Sequence, residues 1–248
     1  MPSVQITPEA GARAAAKPAR WVDWGLYDML RAVLAAAGLI ALGTGVLLLL
    51  VRLGGVPLGS TRRALLILVL ESVLLIPAWY WGPHRYGGGW ASLGLRRCPW
   101  WKVLALGVVA AMVVAVASVW WDGLRRAWSL RSQPSLWPLL APRLPSLLVT
   151  LLVVAVLCPV IEEVFFRGFL FAGLRARLGW GGALVTSAAL FSVAHVVPGI
   201  YPQIFLVGLL LGLLYEFTSS VWPCIAMHGL LNAMAVIAGY VAMQYVAM

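Results

Sequence analysis

Ala32 to Val51 holds no charged residue. A helix crosses the hydrocarbon of a bilayer in about 20 residues, so this run is long enough to span one. Comparable apolar runs recur along the chain: Ala64 to about Trp81, Val103 to Trp121, Ser146 toward Arg175, Ala183 to Val197, Pro202 to Tyr215 and Val221 to Val246. Inside lipid, every backbone N–H and C=O must find a partner within the protein. Runs of this length meet that demand as helices. The expected fold is all-α, a polytopic membrane helix bundle with about seven transmembrane helices, or eight if one further segment inserts.

Composition agrees. The chain is 62% hydrophobic and 10% charged, against about 25% charged residues in an average soluble domain. It cannot cover a water-facing exterior, and membrane lipid is its first expected partner. The net charge is +10, from 18 Lys+Arg and 8 Asp+Glu. Most of the basic residues lie between apolar runs, where they anchor topology against anionic headgroups. No nucleic-acid-binding motif accompanies them, so no nucleic-acid partner is expected. Cys98, Cys158 and Cys224 form no C-x-x-C pair, which argues against a disulfide framework or a zinc ribbon. Cys158 and Cys224 sit in apolar segments and are expected to pack as small hydrophobes.

Three regions are expected. Residues 1–28 form an N-terminal tail without a recognisable signal peptide, which makes the first span an uncleaved anchor. Residues 29–144 hold the N-terminal membrane helices, with a turn through Gly54-Gly55-Val56-Pro57, a polar break from Trp81 to Trp101 and an interfacial loop over 122–145. Residues 145–248 form the core. With the N-terminus inside, the cytoplasmic side holds Arg13, Lys17, Arg20, Arg31, Arg85, Arg96, Arg97, Lys102, Arg175 and Arg177 against seven arginines outside, a weak positive-inside bias. The expected location is the cell (plasma) membrane, multi-pass. Oligomeric state is not legible.

Chemistry concentrates in Pro159-Val160-Ile161-Glu162-Glu163-Val164-Phe165-Phe166-Arg167-Gly168. Three charges facing lipid would cost roughly 8–10 kcal/mol on insertion scales, so this face must turn inward. Glu163 and Arg167 are four apart and lie on one helix face, the acid on the favourable N-terminal side. Glu162 points about 100° away and has no local cation, the situation of a candidate general base. The next run offers Phe191 and His195, one turn apart. The last offers His228 and Asn232, again one turn apart. Only three histidines occur in the chain, and two of them lie inside spans, where a histidine marks function by default.

Each piece also has a structural reading. Paired glutamates can mark an interfacial helix end, and intramembrane His and Asn can serve as hydrogen-bonding glue between helices. Arg167 reads as an ion-pair partner, and Glu71 and His84 as structural or interfacial. Glu71 is expected to face other helices, because a lone charge facing lipid is costly.

Taken together, Glu162-Glu163-x-x-x-Arg167, Phe191-x-x-x-His195 and His228-x-x-x-Asn232 resemble the signature of the CAAX protease and bacteriocin-processing (CPBP) family of intramembrane proteases. All three motifs are complete. The stretch Leu93-Gly94-Leu95-Arg96-Arg97 also looks like the segment before a core helix in such proteins. The resemblance covers about residues 145–245. It implies a helical bundle with catalytic groups sunk in the membrane and peptide hydrolysis without a serine or cysteine nucleophile. The catalytic residues it implies are Glu162, Glu163, His195, His228 and Asn232. Glu162 and His195 would hold and deprotonate a water, His228 and Asn232 would donate to the oxyanion, and the Glu163–Arg167 ion pair would hold the helix in register. The substrate implied is a peptide or protein entering from the membrane or cytoplasmic side. Glu162, His195 and His228 also have the chemistry of a zinc site with a water in the fourth position, although the H-E-x-x-H spacing of soluble zinc proteases is absent. The family is described both as metalloproteases and as metal-independent glutamate proteases. The other readings weighed are a non-enzymatic immunity or binding protein and a small proton-coupled transporter.

Overall fold

The computed structural model describes residues 22–54, 59–128, 143–196 and 198–246. The tail before Val22, the Gly55-Val56-Pro57 turn and most of the expected 122–145 loop fall outside them. All regular elements among the described residues are helical. Helix α1 runs Leu26–Gly54, α2 Ser60–Ser72, α3 Leu75–Trp79 and α4 Trp100–Ala127. Then come α5 Leu144–Thr150, α6 Cys158–Glu163, α7 Ala172–Ala194, α8 Tyr201–Thr218 and α9 Trp222–Val246. Two π-helical stretches, Leu151–Leu157 and Val164–Phe171, connect α5 to α6 and α6 to α7.

Burial is inverted relative to a soluble protein. The leucines along α1, such as Leu34, Leu42 and Leu48, are exposed, as lipid-facing residues are. Only Asp28, Met29, Ala32 and Ala36 of α1 are buried, a narrow stripe at helical spacing. By contrast every residue of Val164–Phe171 is buried, so this segment is the axis of the bundle. The other helices pack around its aromatic side chains.

Among the described residues, six helical stretches are long and apolar enough to cross a membrane. One of them, Leu144–Ala194, is 51 residues long, about 76 Å at 1.5 Å per residue. That is more than twice the hydrocarbon thickness. Gly179, with φ 72°, breaks it. Beyond the break the chain folds back: Ser187 Oγ donates to the Phe166 carbonyl at 3.3 Å, and the Phe191 ring meets the Phe166 ring edge-on at 5.1 Å. The expected fourth and fifth spans are therefore the two limbs of one hairpin. Helix α1 starts at Leu26, six residues before the expected run at Ala32, because Asp28 is drawn inward. Its carboxylate accepts from Gly25 N at 3.0 Å and from the Tyr86 hydroxyl at 2.7 Å. That bond holds the Tyr86 phenol above its usual pKa.

The segment after the polar break is wedged into the core. Trp90–Leu93 forms one 3-10 turn ending on Gly94, whose φ is 77°, a conformation that glycine adopts without strain. The Gly94 carbonyl accepts from Val221 N at 2.9 Å, and Ser220 Oγ donates to the Arg96 carbonyl at 2.7 Å. Leu93 lays its carbonyl directly on Gly168 of the buried axis, where any Cβ would collide with it. Gly168→Ala is thus expected to destabilise the fold by about 1–3 kcal/mol, the usual penalty of overpacking. Thermal unfolding in detergent measures it, and an unchanged Tm would show that the Leu93 turn is not seated there.

Candidate active site

The site grows from the bend between α6 and the π-helical segment after it. Glu163 ends α6, and Arg167 follows one turn later; both are fully buried. Arg167 Nη1 donates to Glu163 Oε1 at 2.9 Å, and Nη2 donates to the Gly208 carbonyl of α8 at 3.2 Å. Gly208 is required here: a Cβ would lie 2.9 Å from Ala188 Cα, so glycine lets α7 and α8 close up. The guanidinium also lies over the Phe191 ring of α7, 4.3 Å from its centroid. Arg167 therefore fastens the axis to both α7 and α8.

His228 of α9 bonds the same carboxylate oxygen, with Nδ1 at 2.8 Å from Glu163 Oε1. A carboxylate only accepts, so Nδ1 carries the hydrogen and Nε2 is left for other work. His195, at the C-terminal end of α7, repeats this arrangement with a backbone acceptor: its Nδ1 lies 2.9 Å from the Phe191 carbonyl. Again Nε2 is left over. These tautomers are assigned from the hydrogen bonds. Phe191 sits between the two rings, edge-on to His195 at 4.8 Å and to His228 at 5.6 Å.

Both histidines and Asn232 line one cavity of about 380 Å³ bounded by α4, α7, α8 and α9. Its other polar lining residues are Ser118 and Gln203; the rest is apolar. Neither of those two was singled out by sequence, because an isolated Ser or Gln in a span carries no spacing signal.

Asn232 has a second duty. Its Nδ2 donates to the Val154 carbonyl at 2.8 Å. In the π-helical stretch Leu151–Leu157, Cys158 N bonds the carbonyl five residues back, that of Val153. The next donor in that register is residue 159, and proline has no N–H. Pro159 thus frees the Val154 carbonyl and Asn232 takes it. The amide nitrogen keeps one further hydrogen. Gly229, one turn before Ala233, admits the neighbouring Ala155 carbonyl where a Cβ would clash, so α9 lies hard against this irregular backbone.

Glu162 stands apart. It does not line the cavity, and no hydrogen bond to it is found among the described residues. It lies within electrostatic range of His228, Glu71, Glu163 and Arg167. Cys158, one turn earlier on the same face of α6, faces the Glu71 carboxylate of α2. Cys224 is buried, its thiol 3.3 Å from the Leu211 carbonyl. His84 stacks on Tyr80 at 5.7 Å and takes no part in the site.

The donor set does not fit a divalent cation. Among the described residues no three His, Cys, Asp or Glu side chains are grouped to hold one. Glu163 Oε1 is already shared by Arg167 and His228, and Glu162 is not among the residues lining the cavity that His195 and His228 share.

Two comparisons bear on this region. Residues 144–234 match the family model for type II CAAX prenyl endopeptidase, Rce1-like. An uncharacterized 24.3 kDa protein of Escherichia coli is 37% identical over 92 residues, covering 36% of this chain and 41% of that protein. The chain thus matches about two fifths of that relative's length. No solved structure matches. The stretch that carries Glu162, Glu163, Arg167, His195, His228 and Asn232 is the stretch that matches the Rce1-like type II CAAX prenyl endopeptidases, within a multi-pass helical membrane protein.

Proposed function

We propose that this protein is an intramembrane endopeptidase of the CAAX-protease type, located in the plasma membrane, which hydrolyses a peptide bond with a water activated by Glu162 and His195. The observation that carries the reading is the paired orientation of the two histidines. Each commits Nδ1 to a fixed acceptor, and both rings line the same cavity. Peptide hydrolysis needs an activated water, a base and an oxyanion stabiliser.

His195 Nε2 accepts a hydrogen bond from the water, and the Glu162 carboxylate, swinging from α6 past His228 toward the cavity, takes the proton as the oxygen attacks the scissile carbonyl. The new C–O bond pushes the carbonyl electrons onto oxygen. His228, charged and steadied by Glu163, donates its Nε2 hydrogen toward that oxyanion, with Asn232 beside it. When the tetrahedral species collapses, the C–N bond breaks and the proton taken from water passes to the leaving amine. The substrate is a peptide whose scissile bond can reach below the membrane surface from the lipid or cytoplasmic side.

The test is cleavage of a farnesylated CAAX peptide by purified protein in detergent, with and without chelator. Glu162→Ala and His195→Ala are each expected to lower turnover by about 10²–10⁴, the usual share of a general base, while inserting normally. Wild-type turnover in both variants would sink the assignment. If cleavage never occurs in the wild type, the immunity or binding reading takes its place.

A further inference from the structure

Glu71 is the charged residue that the proposed chemistry leaves unexplained. It lies on α2, outside the segment that matches the peptidase family. The residues three and four positions to either side of it, Ile67, Leu68, Leu74 and Leu75, are apolar, so no side chain of its own segment offsets the charge. Its Oε2 is buried without a hydrogen-bond partner.

The backbone places it deliberately. Pro77 has no N–H to offer the Val73 carbonyl, and the helix breaks between Ser72 and Leu75. Both Val73 N and Leu74 N turn back onto the Glu71 carbonyl, the latter at 2.8 Å. The kink therefore falls immediately after Glu71, while α2 packs on α6 and on the π-helical stretch before it. The face of α6 that it meets carries Cys158 and, one turn on, Glu162, with His228 beyond.

A purely structural role fits this badly. A second carboxylate set against an existing one in a dry interface destabilises the fold, and a leucine or glutamine would pack there at less cost. Stability given up at a buried position is common where function needs the group.

We propose that Glu71 is a positioning residue of the peptidase site: its carboxylate, steadied by the Cys158 thiol, bars Glu162 from turning toward α2 and so directs it to His228. The proposal rests on the peptidase reading for its effect on turnover and stands independently for its geometry.

Two experiments separate these. In a Cys98→Ser, Cys224→Ser background, Glu71→Cys is oxidised with copper phenanthroline and digested for mass spectrometry. A disulfide to native Cys158 is expected, and its absence overturns the proposal whatever the activity. In the native background, Glu71→Gln and Glu71→Leu are expected to lower kcat about tenfold with KM changed less than about twofold. Their Tm should equal or exceed that of the wild type, and Glu71→Asp should recover part of the loss. An unchanged kcat, or a loss that merely follows a falling Tm, overturns the proposal. An inactive wild type sinks the peptidase reading, whereas an active wild type with indifferent Glu71 variants sinks this inference alone.

Discussion

Glu163→Gln is expected to reduce turnover by about 10³–10⁴ while the protein still inserts and keeps its helices, the scale seen when an orienting carboxylate becomes an amide. The shape of the side chain is unchanged, so packing around it is largely kept. Two things are lost. Oε1 serves both Arg167 and His228, and a neutral amide cannot stabilise the His228 imidazolium that donates to the oxyanion. An amide can also turn its NH₂ toward His228 Nδ1. That would leave the ring neutral, its Nε2 hydrogen a weaker donor to the oxyanion than that of the imidazolium. The measurement is single-turnover cleavage of the same peptide, with circular dichroism confirming the helices. If Glu163→Gln stays within about tenfold of wild type, far inside the range of that precedent, His228 is not oriented by Glu163.

Much of the architecture could be read before any coordinates, because in lipid the main variable is where apolar runs start and stop. The ends of α8 and α9 fall within a few residues of the expected ones. The two limbs of the hairpin in Leu144–Ala194 were visible as two apolar runs, Ser146 toward Arg175 and Ala183 to Val197; that they join in one helical stretch was not. What could not be read is the irregular backbone. A π-helical turn differs from an α-helical one by one residue of hydrogen-bond register, and apolar sequence carries no trace of it. Pro159 has no N–H and so must free a carbonyl, but nothing in the sequence says that Asn232 takes it.

The polar residues of the candidate site could be picked out by spacing, but not their contacts. Spacing of four put Glu163 with Arg167 and His228 with Asn232 on common faces, and the Glu163–Arg167 pair is formed. Spacing cannot say which side chain of another helix arrives. The contact of His228 with Glu163, the seat of Arg167 over Phe191 and the approach of Glu71 to Cys158 all depend on rotations of helices far apart in sequence. Glu71 read as facing other helices, and it faces α6. The sequence held no feature that tied it to Glu162, ninety-one positions away.

Arg167→Leu separates what the buried pair does for folding from what it does for chemistry. The guanidinium holds Glu163, the Gly208 carbonyl and the Phe191 face at once. Its removal strands a fully buried carboxylate with His228 as its one neighbour in hydrogen-bond contact. Breaking a buried pair from one side typically destabilises by about 3–5 kcal/mol, so the variant is expected to insert, because hydropathy sets insertion, yet to unfold at much lower temperature in detergent. The double variant Glu163→Gln, Arg167→Leu removes both charges together, and similar exchanges elsewhere are often neutral or stabilising. It is expected to regain at least half of the lost stability and none of the activity, since His228 still lacks its carboxylate. Two neighbours in one network should be non-additive in this way. A single variant as stable as the wild type would mean that the pair is not desolvated. A double variant no more stable than the single would mean that Arg167 acts through Gly208 and Phe191 rather than through Glu163.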